Sequence, residues 1–170
     1  MKILCFGSLG IDYTYSVDHF VKKGETILTN SLEIFSGGKG FNQARALSRA
    51  GSDLYMAGQV GEDGRFLIQQ LQDCGVDARY VHVTKRERSQ NAIIQNDKNG
   101  DNCILLFSGA NKVIKRGFID NVLSDFGKDD VIILQNEINE IAYIIEQAHK
   151  KGMKTVFNPS PISEDMFRYP

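Results

Sequence analysis

Asp130-Val131-Ile132-Ile133-Leu134-Gln135 is almost wholly apolar and too short for a helix, so it reads as a core strand covered on both faces. After it, Ile138–Lys151 places Ile141, Ile144, Ile145 and Ala148 at helical spacing and stops at Gly152, and Lys154–Asn158 supplies another strand. Strand, helix, strand is the unit of a parallel sheet covered by helices. The same alternation extends toward the N-terminus. Lys115–Phe126 turns Ile119, Val122, Leu123 and Phe126 inward and stops at Gly127. Asp63–Cys74 does so with Leu67, Leu71 and Cys74, and Gly75 suits the left-handed residue past a helix end. Phe41–Ala50, with Phe41, Ala44 and Leu47 on one face, stops at Gly51; Lys2–Gly7, Leu54–Val60 and Tyr80–Val83 read as further strands. The fold class is α/β with a mostly parallel sheet.

Two stretches break this rhythm. Tyr13–Phe35 reads as strands Thr14–Val17 and Thr29–Phe35, while Ala92–Gln95 and Cys103–Phe107 flank a polar turn containing Asn99-Gly100. Both are placed together as a small β-lid on one edge of the sheet, with insertions at about 13–35 and 90–108. The chain stops at Pro170 soon after a core strand, with no closing helix, so it is expected to be the N-terminal part of a longer α/β domain.

The 170 residues carry 20 Lys and Arg against 21 Asp and Glu, a balance that disfavours a nucleic-acid partner. Apolar runs fall far short of the roughly 20 residues of a membrane span. The run Ile3-Leu4-Cys5-Phe6 is broken by Gly7 and forms no secretory signal, which points to a cytoplasmic protein. Cys5, Cys74 and Cys103 lack C-x-x-C spacing and are expected to be small buried hydrophobes, and His19, His82 and His149 are too scattered to form a metal site.

Gly37-Gly38-Lys39-Gly40 opens a helix, where glycines allow close backbone approach and free N–H groups attract anions. A tight strand-to-helix turn demands glycine on its own account. A P-loop is excluded because Gly40 follows Lys39, and no dinucleotide fingerprint follows the first strand, which continues Gly7-Ser8-Leu9-Gly10-Ile11-Asp12; an NAD enzyme is disfavoured. The larger pattern, Gly37-Gly38-Lys39-Gly40-Phe41-Asn42-Gln43-Ala44 with Gly51 and Gly61, resembles the N-terminal signature of the ribokinase-like carbohydrate kinases, the PfkB family. Gly7-Ser8 with Asp12, Gly24-Glu25-Thr26, Gly61-Glu62-Asp63-Gly64, Ser108-Gly109-Ala110-Asn111, Gln135-Asn136-Glu137 and Asn158-Pro159-Ser160-Pro161 resemble that family in the same order, closest to the ribokinase branch.

The resemblance implies a ribokinase-like three-layer αβα fold with a β-lid, and ATP-dependent phosphorylation of a sugar or nucleoside hydroxyl. It implies sugar contacts at Asp12, Gly38, Lys39, Asn42 and Glu137. The chemistry suits them: Asp12 can accept hydrogen bonds from two neighbouring hydroxyls, and Asn42 offers a donor and an acceptor. Structural alternatives stay open: a solvated turn carboxylate for Asp12, helix packing for Asn42, an exposed surface lysine for Lys39, and capping of the next helix for Glu137. Asp63 and Asn158 read as loop and cap residues. Gly10 stands where ribokinases carry a sugar-contacting Asn, so the resemblance points to the sugar-kinase class rather than to ribose. The family's catalytic Asp, in a Gly-Ala-Gly-Asp motif, and its nucleotide site lie in a later half, so the 170 residues hold no catalytic residue and alone are expected to be inactive. ATP and Mg2+ are implied for the complete enzyme, as is pairing of the lid with a second subunit. The competing reading is a non-catalytic sugar-binding or regulatory domain.

Overall fold

A computed structural model describes residues 1–170. The central sheet contains β1 (Ile3–Phe6), β4 (Leu54–Gly61), β5 (Asp77–Thr84), β8 (Val131–Gln135) and β9 (Lys154–Asn158), in the order β5-β4-β1-β8-β9, every pair parallel. Helices α1 (Lys39–Arg49), α2 (Arg65–Asp73), α3 (Arg116–Leu123) and α4 (Ile141–Lys150) cover it. On β1 the side chains alternate: Leu4 and Phe6 join α3 and α4 in one cluster, and Cys5 joins α1 and α2 in the other. The expected three-layer α/β arrangement is present.

The insertions form one sheet. β2 (Gly10–Ser16) pairs antiparallel with β3 (Ser31–Gly37), β6 (Gln90–Asn96) with β7 (Asn102–Phe107), and β2 runs parallel to β6, giving the order β3-β2-β6-β7. The sequence reading lacked this parallel pair, which joins segments far apart in the chain. It also began the first of these strands at Thr14, whereas the strand starts at Gly10 and carries Asp12 within it. The second sheet springs from the carboxyl ends of β1 and β5, where ligands gather in open α/β sheets.

Buried side chains lock the two sheets together. Asp63 accepts from Ser89 N and Oγ, both at 2.9 Å, and Gly61 N donates to Ser89 Oγ at 2.9 Å, fastening the entry of β6 to the end of β4. The loop role read for Asp63 agrees with this. Asn111, fully buried, accepts from Leu9 N at 3.4 Å and donates through Nδ2 to Leu9 O at 3.1 Å and Gln90 Oε1 at 2.8 Å.

Three expectations need correction. β8 is not sealed on both faces: Ile132 and Leu134 are buried, but Val131 and Ile133 are only half-buried, because the helices of that face pack over β1, β4 and β5. Of the cysteines only Cys5 is buried, which pushes its thiol up to about 12; Cys74 is half-buried, and Cys103 lies on β7, exposed along its whole length. The last helix starts at Ile141, not Ile138, because Asn139 turns back to accept from Ile114 N at 3.0 Å and donate to Ile114 O at 2.8 Å.

Asn111 supplies the only side-chain partner of both backbone groups of Leu9. Asn111→Ala is therefore expected to lower stability by about 2–3 kcal/mol, since a truncated partner leaves buried polar groups unsatisfied. Urea unfolding of the two proteins checks this, and an unchanged midpoint would contradict it.

Candidate functional site

Gly38 has φ 91, a left-handed conformation that side chains resist, and a Cβ there would stand 2.8 Å from Ser8 O. A Cβ on Gly40 would stand 2.6 Å from Ser8 N. The β1–β2 turn can therefore lie directly on the first turn of α1. Phe41 N donates to Ser8 O at 2.9 Å and Gly40 N to Ser8 Oγ at 3.2 Å.

Glu137, just past β8, closes this junction. Its Oε2 accepts from Ser8 Oγ and from Lys39 N at 2.9 Å, and its Oε1 accepts from Lys39 Nζ at 2.8 Å. The amides opening α1, read as a potential anion site, are thus satisfied by the chain's own carboxylate and hydroxyl. Burial pushes the Glu137 carboxyl up, but the hydrogen bonds from Lys39 and Ser8 and the Lys39 charge outweigh it and hold the group below the usual range. A depressed pKa means that this contribution to stability is present above the ordinary glutamate range and lost as pH falls through the lowered value.

Asp12 has a different environment. It is half-buried on β2, lies where a Cβ on Gly37 would collide with its carboxylate, and has no hydrogen-bond partner in the protein. Burial raises its pKa, and the Glu137 charge adds to the rise.

The fold thus brings together Asp12, Gly38, Lys39 and Glu137. Asn42 sits one turn along α1, its N donating to Gly38 O at 3.0 Å and its side chain exposed without a partner. Two of the structural alternatives fall: Lys39 is ion-paired rather than a free surface lysine, and Glu137 does not cap α4, whose N-cap position is Glu140. Ser8, Asn111 and Gln90 escaped the sequence reading as site residues. Ser8 and Asn111 had a signal in the family-like stretches Gly7-Ser8 and Ser108-Gly109-Ala110-Asn111, though none that gave either a role; Gln90 had none.

Gly40→Ala pushes a methyl group against the Ser8 backbone and is expected to cost about 1–3 kcal/mol. Gly117, in the first turn of α3, has open space around a Cβ, so Gly117→Ala is expected to stabilise by about 0.5 kcal/mol. Opposite shifts in melting temperature check the pair; a Gly40→Ala protein that melts no lower than the wild type would refute the close approach at Gly40.

The sequence model of the pfkB family carbohydrate kinases matches residues 1–168. The ribokinase of Bacillus subtilis is 34% identical over 167 residues, covering 95% of this chain and 56% of that protein. The deoxyribokinase of Salmonella typhi is 32% identical over 170 residues, with 98% and 56% covered. The ADP-bound ribokinase structure from Cryptococcus neoformans var. grubii serotype A superposes with a TM-score of 0.87 at 31% identity, covering 99% of this chain and 53% of that one. The chain spans about half the length of the relatives it matches. With its signature turn built against β1 and a family match along nearly its whole length, the chain belongs to the pfkB family of carbohydrate kinases.

Proposed function

We propose that the chain forms the acceptor-binding part of an ATP-dependent kinase that phosphorylates a hydroxyl of a sugar or nucleoside. The observation that carries this reading is Asp12, a half-buried carboxylate without a partner, poised over glycine in a carbohydrate-kinase chain. Two neighbouring hydroxyls would replace the hydration it has lost. Asn42 adds a donor and an acceptor, and Gly38 lets the ring approach the main chain. Lys39 and Glu137 hold the turn, with a lone pair of Glu137 Oε1 left for a hydroxyl. Approach of the second sheet would exclude water from an oriented acceptor, which limits wasteful hydrolysis of ATP.

ATP is supported by the family and by the ADP-bound relative. Mg2+ belongs to the proposal for the complete enzyme, where one or two carboxylates and the nucleotide phosphates would hold it; these 170 residues bring no three His, Cys, Asp or Glu side chains together. No helix is long and apolar enough to cross a membrane. Exposed Leu32, Ile34, Ile93 and Leu105, which the strand register places on one face of the second sheet, support its pairing with a second copy. The non-catalytic alternative is less favoured, because the relatives are named as kinases.

Asp12→Asn in the full-length protein is expected to lower kcat/KM for the sugar about 100-fold or more, since charge-assisted hydrogen bonds are lost. It should also raise the melting temperature, because the raised pKa of Asp12 means that ionisation at neutral pH costs folding stability. In the wild type, sugar affinity should be full at neutral pH and fall as pH drops through this raised pKa, at less acidic pH than for an ordinary aspartate. Coupled ADP-release assays and calorimetry read these effects, and normal phosphorylation by Asp12→Asn would overturn the assignment.

A further inference from the structure

Beside Asp12 the second sheet carries another polar group that the reading above leaves unused. Gly37, Gly10 and Gln90 lie in register across β3, β2 and β6. Residues two apart on a strand share a face, so the space above Gly10 and Gly37 belongs to the face that Asp12 presents. Neighbouring side chains overlie both glycines. The Asp12 carboxylate takes the place of a Gly37 Cβ, and the Gln90 amide that of a Gly10 Cβ, with Nε2 at 2.8 Å and Cγ at 3.2 Å from that position.

The orientation of the Gln90 amide follows from its neighbour. Asn111 accepts from Leu9 N and donates to Leu9 O, which fixes its own amide and presents Nδ2 to Gln90. Gln90 must therefore turn its oxygen to Asn111, at 2.8 Å, and its nitrogen toward Gly10. Gln90 is only 4% exposed, yet Nε2 has no acceptor in the protein and is not sealed from solvent. Buried donors are normally paired, so one left free and aimed at the face of Asp12 points to a ligand.

We propose that Gln90 is a specificity-determining residue of the acceptor site, donating from Nε2 to a ring hydroxyl next to the one that Asp12 holds. Directly opposed Cβ positions lie about 5 Å apart. The Asp12 acceptor and the Gln90 donor thus stand side by side over a floor of two glycines. A vicinal diol bridges them, one hydroxyl donating to Asp12 and its neighbour accepting from Gln90. The inference rests on the sugar-acceptor reading and deepens it, by giving the site a preference for the hydroxylated sugar over the analogue that lacks the second hydroxyl.

D-ribose, 2-deoxy-D-ribose and 3-deoxy-D-ribose, titrated calorimetrically into the full-length protein and its variants, test this. The wild type is expected to penalise one deoxy sugar. Gln90→Met fills the same space without a donor; it should weaken binding of D-ribose about tenfold and erase that penalty, while leaving the penalised deoxy sugar within about twofold. The double variant Gly10→Asn with Gln90→Gly carries an amide over the same floor from the adjacent strand and should restore the penalty. A Gln90→Met protein that weakens all three sugars equally, or none, overturns the role of Gln90. If Asp12→Asn abolishes binding in that case, the acceptor reading survives alone. A folded wild type that binds none of the three overturns the Gln90 proposal, and one that also binds no other pentose, hexose or nucleoside overturns the acceptor reading.

Discussion

The Glu137 carboxylate is the contact on which the site depends. It joins Ser8 and Lys39, 129 and 98 residues away in sequence, and so pins the end of β8 to the β1–β2 turn and to the start of α1. Taking a carboxylate out of water is costly unless donors replace the lost hydration, and here a hydroxyl, an amide and an ammonium group do so. The same bonds satisfy the amides that open α1. With the turn fixed, the direction in which the chain leaves Ser8 is fixed too, and β2 carries Asp12 back over Gly37.

Two carboxylates therefore occupy one site with opposite roles. Glu137 is saturated with donors and held ionised; Asp12 is desolvated, unpaired and pushed toward its neutral form, partly by Glu137 itself. One group is spent on architecture and the other is left with unsatisfied chemistry. That division supports the proposal that Asp12, more than Glu137, meets the acceptor, although the family resemblance treats the two alike.

Local signals carried the layers of the fold. Apolar spacing placed α1 to α4, and the stops at Gly51, Gly75 and Gly152 bounded three of them, because a helix face and its termination are written in neighbouring residues; α3 ends at Leu123, short of the expected stop at Gly127. The half-open face of β8 was not legible, since burial of Val131 and Ile133 depends on where helices from other parts of the chain come to rest. Cys103 looked buried by composition and is exposed because β7 is the edge of a thin sheet. In the site, the glycine turn with Lys39 and Asn42 was readable as a motif, but the commitment of Lys39 to Glu137 was not. Gln90 was invisible for a similar reason: its meaning comes from lying beside Gly10, and the β2–β6 pairing that puts it there is not local.

That pairing also shapes how an acceptor would be held. Asp12 and Gln90 both ride on the second sheet, whereas Lys39 and Asn42 belong to α1 and Glu137 follows β8 of the central sheet. A sugar touching both groups would contact two layers at once, so its affinity would depend on their separation, which the roots of the second sheet set. The Asn111 and Asp63–Ser89 bonds lie at the roots of the second sheet, where they set its position without touching its outer strands. The polar cost of burying those groups is met at the base, leaving the free donor of Gln90 and the free carboxylate of Asp12 on the face that an acceptor meets.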